Sequence, residues 1–485
     1  MSTRGGDSCL DLFQAILQGL GTDGGLLVPD FPLATPSLES LQGLPYHRLA
    51  ATLIASFAPA DSGSLIADAC SRAYATGNFP AEVVPVVPVG DVWVAELFHG
   101  PTAAFKDMAL QLLPYLMTAS LQRCGDARRA LILTATSGDT GKAALAGFAD
   151  VEGTLIKVFY PQDGVSSVQQ RQMTTQAGGN VDVVGVHGNF DDAQRAVKEA
   201  FASPQLAQAC AEEGVFLTSA NSINIGRLLP QIVYYFHAYL TLVDRDVLAP
   251  GDEVDYVVPS GNFGNCLAGV MARRMGLPIR RFVIASNRNK VLTDFFQTGC
   301  YDIRRPFYKT NAPAMDILVS SNLERMLYML DKDAAQTARQ MQTLSRDGNY
   351  HITHTQLDTL HQLFVAGWQN EEEVLGTIRR YYHNTGYLSD THTAIALGVA
   401  EQYHQKDDST PVIVLSTASP YKFPTAVCQA VLGKTLADAE AMDALYSATG
   451  VPVPSCLADV MTRPMLHNHT IHPADIISYI KNNLH

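Results

Sequence analysis

From about residue 130 onward, short runs of aliphatic and β-branched residues alternate with longer stretches whose apolar positions recur with helical spacing. ALILTAT (130–136), TLIKVFY (154–160) and VDVVGV (181–186) read as strands, and the stretches after them read as helices from Ser137, over 166–177 and over 191–203. Strand and helix in strict alternation imply βαβ units and a parallel sheet, with ligands held beyond the carboxyl ends of the strands. Further strands are expected at 254–260, 281–286 and 411–417. Ahead of this pattern, LDLFQAILQGL (10–20) predicts a helix stopped by Gly21, Asp23 and Gly24, which suits an N-terminal cap on a larger body. Residues 300–385 predict helices near 322–345 and 356–381. LLPQIVYYFHAYLTLV (228–243) is apolar but interrupted, so it predicts a core helix and not a membrane span.

Composition narrows the class. With 485 residues, 47% of them apolar, the chain can bury a large core in two or three domains. A formal charge of −13 argues against nucleic acid or an anionic membrane as partner. Eight scattered cysteines without a CxxC pair or a signal peptide read as reduced thiols of a cytoplasmic protein.

Three loops carry the chemistry. In FHGPTAAFKDMA (98–109), Lys106 follows Phe105 among apolar residues that would desolvate its amine and depress its pKa, and such an amine can form a Schiff base. TATSGDTGKAA (134–144) and VPSGNFGNCLAG (258–269) each follow an apolar run and open a helix, presenting free backbone N–H groups to an anion. One reactive lysine with two anion cradles points to a phosphorylated aldehyde.

Other chemistries lack their signatures. GDTGKA has neither the glycine gap nor the hydroxyl residue of a P-loop, and GNFGN is not G-x-G-x-x-G. No G-x-S-x-G is present, and Ser137 and Ser260 have no assigned base. His467, His469 and His472 read as a solvated loop, and His351, His354 and His361 as one polar helix face; no metal site is expected.

ELFHGPTAAFKDMA, LTATSGDTGKAA, SANSINIGRLLPQIVYYF (219–236), VPSGNFGNCLAG and LSTASPYKF (415–423) resemble, in order, the motif set of threonine synthases in their longer bacterial and fungal form. STRG (2–5) and QGLGTDGGLLVP (18–29) resemble that family's opening, so the likeness covers nearly the whole chain. It implies a fold type II α/β enzyme with two mostly parallel twisted sheets, which uses pyridoxal 5′-phosphate to convert O-phospho-L-homoserine and water into L-threonine and phosphate. The implied domains are an N-terminal cap (1–90), a large cofactor domain in two segments (91–125 and 216–485, with a helical insertion at about 300–385) and a small mobile domain (126–215).

By motif position, the resemblance implies that Lys106 binds the cofactor as a Schiff base and later shuttles protons. Gly261, Asn262, Phe263, Gly264 and Asn265 would wrap the cofactor phosphate, and Thr417 would offer its hydroxyl to the pyridine nitrogen. Ser137, Asp139 and Thr140 match a loop that closes over the substrate, and Asn221, Ser222 and Arg227 match its phosphate site. An arginine within an apolar helix also needs a buried anion or a route to water on physical grounds alone. The chain departs from relatives at Ser419 and Tyr421, which stand where ATAHPAKF has histidine and alanine. It departs again at DTHTA (390–394) for DPHTA, and at Asp139, where shorter relatives use asparagine. Two alternatives accompany the synthase reading: a lyase releasing 2-oxobutanoate and ammonia, and a catalytically silent cofactor-binding paralogue. A monomer or homodimer is expected.

Overall fold

The computed structural model describes residues 1–485 except 7, 8, 32, 34, 163, 405–409 and 485. Among the described residues there are thirteen strands: β1 Val86–Val89, β2 Val92–Glu96, β3 Arg129–Ala135, β4 Thr154–Pro161, β5 Val181–Val186, β6 Val215–Thr218, β7 Val254–Pro259, β8 Ile279–Ser286, β9 Cys300–Asp302, β10 Asn349–His351, β11 Phe364–Trp368, β12 Val412–Ser416 and β13 Thr470–Ile471. They form a six-stranded sheet in the order β1-β2-β12-β7-β8-β11, a five-stranded sheet in the order β13-β5-β4-β3-β6, and a β9–β10 pair. The five-stranded sheet is wholly parallel, and in the six-stranded sheet only β1–β2 is antiparallel.

The central strands explain this layering. Every residue of β4 and of β7 is buried, as expected where helices cover both faces of a parallel sheet. Within β3, Leu131, Leu133 and Ala135 enter one apolar cluster while Ala130 and Ile132 enter another, so side-chain alternation splits the strand between two cores. The core shared by both sheets also takes in Phe13, Ile16, Leu49 and Leu53 from the N-terminal helices and Leu229, Tyr234 and Tyr235 from the helix Ile225–Asp244. The cap is therefore packed into the body and has no separate core.

Two elements differ from the sequence reading. Within the helix expected over 356–381, Phe364–Trp368 is an edge strand that pairs with β8 in parallel. FVAGW looked like part of a helix because its β-pairing partner lies some eighty residues away. The chain's last strand, β13, pairs with β5, and Ile476, Ile480 and Leu484 join the core of the smaller sheet. Those residues were expected with the larger domain, yet they complete the smaller one. No helix among the described residues is long and apolar enough to cross a membrane.

Candidate active site

Five segments leave the carboxyl ends of β2, β3, β6, β7 and β12, and each contains one of the sequence motifs. The sheet order brings β2 beside β12, and with it Lys106 close to Thr417 although more than three hundred residues separate them. Backbone bonds close this seam: Leu97 N–H donates to Ser416 O (2.9 Å), Phe105 N–H to Thr417 O (2.8 Å) and Ser419 N–H to Ala103 O (3.1 Å).

Lys106 precedes a short helical turn, Asp107–Leu110, and its side chain is 12% exposed. Its Nζ lies 3.7 Å from Asp139 Oδ2, while Asp139 Oδ1 is 2.9 Å from the Nζ of fully buried Lys422. Burial pushes the Lys106 amine below its ordinary value, and repulsion from Arg227 and Lys422 adds to this against the attraction of Asp139 and Asp107. Asp139 is lowered as well, but by charge and not by burial: despite the burial penalty, Lys422 and Lys106 hold it far below the carboxylate range. Asp107, buried under Thr102, which donates both its N–H (2.8 Å) and its hydroxyl (2.6 Å), is raised by desolvation to about 6. Burial also lowers Lys142 to about 8 and Arg227 to about 10. Four cationic side chains, Lys106, Lys142, Arg227 and Lys422, thus share a buried neighbourhood with two carboxylates, Asp107 and Asp139, and the excess positive charge suits an anion.

The loop after β7 is a cradle. Its helix, Gly264–Arg274, has no side-chain cap, so its first N–H groups are free to meet an anion. A Cβ on Gly261 would come within 2.9 Å of Ala314 O, so only glycine lets the loop pass. Phe263 adopts a left-handed backbone (φ 60°) and its ring packs against Phe296 and Phe364, which hold the strained turn in place. Behind the loop, Ala314 N–H donates to His392 Nε2 (3.1 Å), whose Nδ1 meets Asp390 Oδ2 (2.7 Å). An acceptor Nε2 leaves the proton on Nδ1, so DTHTA braces the cradle with a neutral imidazole.

Two buried nitrogens aim at unmet partners. Asn265 commits its Oδ1 to the hydroxyls of Tyr234 (2.6 Å) and Tyr235 (3.0 Å), but its Nδ2 has no hydrogen-bond partner. Arg227 donates from Nη1 to Ala220 O (3.0 Å), and its Nε is likewise unmatched. Buried donors in that condition cost about 1–3 kcal/mol each, and an anion bound beside each would satisfy it.

The remaining expected residues lie on or beside the same strand-end segments. Ser137 is exposed, and Thr140, Asn221 and Ser222 are half-buried, so they stand where the loops meet solvent. Asn322 ties two of these loops together, with its N–H donating to Asn262 O (3.1 Å) and its Nδ2 to Ser222 O (3.2 Å). Thr417 is buried, and its N–H donates to Thr393 Oγ1 (3.3 Å). Where relatives carry histidine, Ser419 caps a single turn by accepting the Tyr421 N–H (3.3 Å), and the Tyr421 hydroxyl donates to Val451 O, so no imidazole enters the site there.

Sequence reasoning missed Lys422, Gln169, Gln172 and Asn322. Lys422 had one local signal: YKF repeats just past a strand end what Phe105–Lys106 shows after β2. The glutamines carried none, since their partners come from other loops. The histidine readings also change: His351 ends β10, and only His354 and His361 share the helix His354–Leu363. Among the described residues, no group of three or more His, Cys, Asp or Glu could hold a metal ion.

Comparison with known proteins agrees on the family. Residues 80–354 match the model of pyridoxal-phosphate dependent enzymes, 1–74 that of the threonine synthase N terminus and 393–470 that of the threonine synthase C-terminal region. A threonine synthase of Pseudomonas aeruginosa is 39% identical over 442 residues, 90% of either chain. A threonine synthase-like 1 protein of Macaca fascicularis is 41% identical over 432 residues, 86% of this chain, and this chain spans only 58% of that relative's length. The crystal structure of a PLP-bound threonine synthase from Brucella melitensis aligns at TM-score 0.87 and 36% identity, covering 99% of this chain and 98% of that one.

Proposed function

The chain belongs to the threonine synthase family of pyridoxal-phosphate dependent enzymes, and from that premise we propose that it converts O-phospho-L-homoserine and water into L-threonine and phosphate. The observation that carries this reading is the pairing of a desolvated Lys106 amine with two unmatched buried donors, Arg227 Nε and Asn265 Nδ2, in an excess of positive charge. A free cradle and a free guanidinium nitrogen answer two phosphates, one on the cofactor and one on the substrate.

The residues fit the cofactor: Lys106 would bind it covalently, Gly261, Asn262, Phe263, Gly264 and Asn265 would hold its phosphate, and Thr417 would face its ring nitrogen. When bound, pyridoxal 5′-phosphate supplies an electron sink for charge developing at the substrate α-carbon. Lys106 Nζ, whose affinity for a proton is lowered by burial and by the neighbouring cations, takes the proton from Cα and returns it there at the end. Arg227, with Asn221 and Ser222, orients the substrate phosphate and takes up its charge as the bond to Cγ breaks. Ser137, on the loop after β3, and Asp139 and Thr140, in the first turn of the helix Asp139–Phe148, cover the substrate and keep water out until it is needed at Cβ.

The purified protein, supplied with pyridoxal 5′-phosphate and phosphohomoserine, is expected to release phosphate and threonine in equal amounts. Release of 2-oxobutanoate and ammonia in place of threonine would establish the lyase alternative. Cofactor binding with no phosphate release would overturn the catalytic reading.

A further inference from the structure

Lys422 lies at the seam between the two sheets and has no place in the reading above. It is wholly buried, and each of its three N–H groups has an acceptor: Asp139 Oδ1 at 2.9 Å, Gln172 Oε1 at 2.5 Å and Thr102 O at 3.2 Å. Asp139 and Gln172 belong to helices of the smaller sheet, whereas Thr102 and Lys422 follow strands of the larger one. Gln169 adds a second donor to the same carboxylate oxygen, Nε2 to Asp139 Oδ1 at 2.9 Å. The other oxygen, Oδ2, is turned to Lys106 at 3.7 Å, beyond hydrogen-bond reach but within ion-pair range.

Resting on the function proposed above, we propose that Lys422 is a positioning residue that divides Asp139 between two amines, holding one carboxylate oxygen for itself and so setting the charge state of Lys106. The asymmetry of the contacts carries the point. A carboxylate facing Lys106 alone would close on it and keep the amine protonated. With Oδ1 anchored by Lys422 and Gln169, the attraction that reaches Lys106 is weakened, and the Lys422 charge itself repels a second ammonium. The other titratable groups facing this cluster are Asp107, Lys142, Arg227 and the Cys456 thiol, and they are common to the variants below. Because the partners come from both sheets, the arrangement exists only when the two units are together.

The test follows the pH midpoint of the visible absorbance of cofactor-loaded protein, which reports the protonation of the nitrogen of Lys106. Lys422→Met is expected to raise that midpoint by about one unit, the size of shift a neighbouring charge produces, and Lys422→Arg to leave it near the parent value. Asp139→Asn is expected to lower it. If Lys422 acts through Asp139, removing the carboxylate first leaves Lys422 only its direct repulsion, so Lys422→Met raises the midpoint less in Asp139→Asn than in the parent.

In cofactor-free protein, the pH at which a small anhydride acylates Lys106, read by mass spectrometry, should move in the same directions. An unchanged midpoint in folded Lys422→Met overturns the proposal. If that variant does not fold, Lys422→Arg shifted as far from the parent as Asp139→Asn overturns it instead. A parent protein that binds cofactor yet makes no threonine would refute the proposed reaction and leave the midpoint comparison intact.

Discussion

Asn265 Oδ1 accepts the Tyr234 hydroxyl at 2.6 Å and the Tyr235 hydroxyl at 3.0 Å, which fixes the amide so that its unmatched Nδ2 is the end left over for a ligand. The assignment of oxygen and nitrogen follows from the pair of hydroxyl donors.

Asn265→Ala should therefore weaken cofactor binding by about tenfold or more, the cost of one hydrogen bond to a charged group. Asn265→Asp should weaken it further, because a carboxylate would face the phosphate. Absorbance titration of cofactor-free protein with pyridoxal 5′-phosphate measures both.

Arg227→Lys is expected to cut kcat/KM for the phosphorylated substrate by about a hundredfold, since a lysine cannot supply a forked donor while also holding Ala220 O. Cofactor affinity should change little. A variant that loses cofactor and substrate affinity in equal measure would place Arg227 elsewhere than the substrate phosphate.

Gly138 has φ 136°, and a Cβ there would lie 2.4 Å from the Gln169 side chain. Gly138→Ala should thus displace the amide that holds Asp139 and lower stability by about 1–3 kcal/mol, the range for a residue forced into a disfavoured backbone region. Thermal melting checks the stability, and the absorbance midpoint described for Lys422 checks the effect on Asp139.

His237 is buried beneath the cap, its Nε2–H donating to Val84 O at 3.1 Å, and burial lowers its pKa below the ordinary 6.5. The unfolded chain then binds a proton that the folded one refuses, so stability is full above about pH 6.5 and falls as pH drops through that value. Glu82 and Asp244 offset part of the effect, and Arg245 adds to it. His237→Gln, which does not titrate, should flatten the slope of melting temperature between about pH 5 and 6.5 relative to the parent.

Ile476 is fully buried in the core of the smaller sheet. Ile476→Ala should cost about 2–5 kcal/mol. Hydrogen exchange should speed up in Val181–Val186 and Phe190–Ala202 while Val254–Pro259 keeps its protection, because the tail completes one sheet only. Equal loss of protection in both sheets would refute that division.

Element type was legible wherever a segment's own side chains decide it. TLIKVFY and VDYVVPS are strands because continuous apolar runs suit a sheet covered on both faces, and the turn after VDYVVPS opens a helix through Gly261, where a side chain would strike the Ala314 backbone. That local grammar located Lys106, the Gly261–Asn265 cradle and Thr417 at strand ends before any packing was known. FVAGW escaped it, since a five-residue run becomes a strand only through the neighbour it meets.

The sequence by itself determined which chemistry is carried and at which strand ends, since periodicity, turn residues and motif order are written along the chain. Only the tertiary structure decided that Lys422 is buried against Asp139, that Asn322 joins two loops and that the last strand completes the smaller sheet. Each of these is a pairing between distant segments. The charge on a lysine depends on the water and ions that the fold removes or supplies around it, and no stretch of neighbouring residues specifies that.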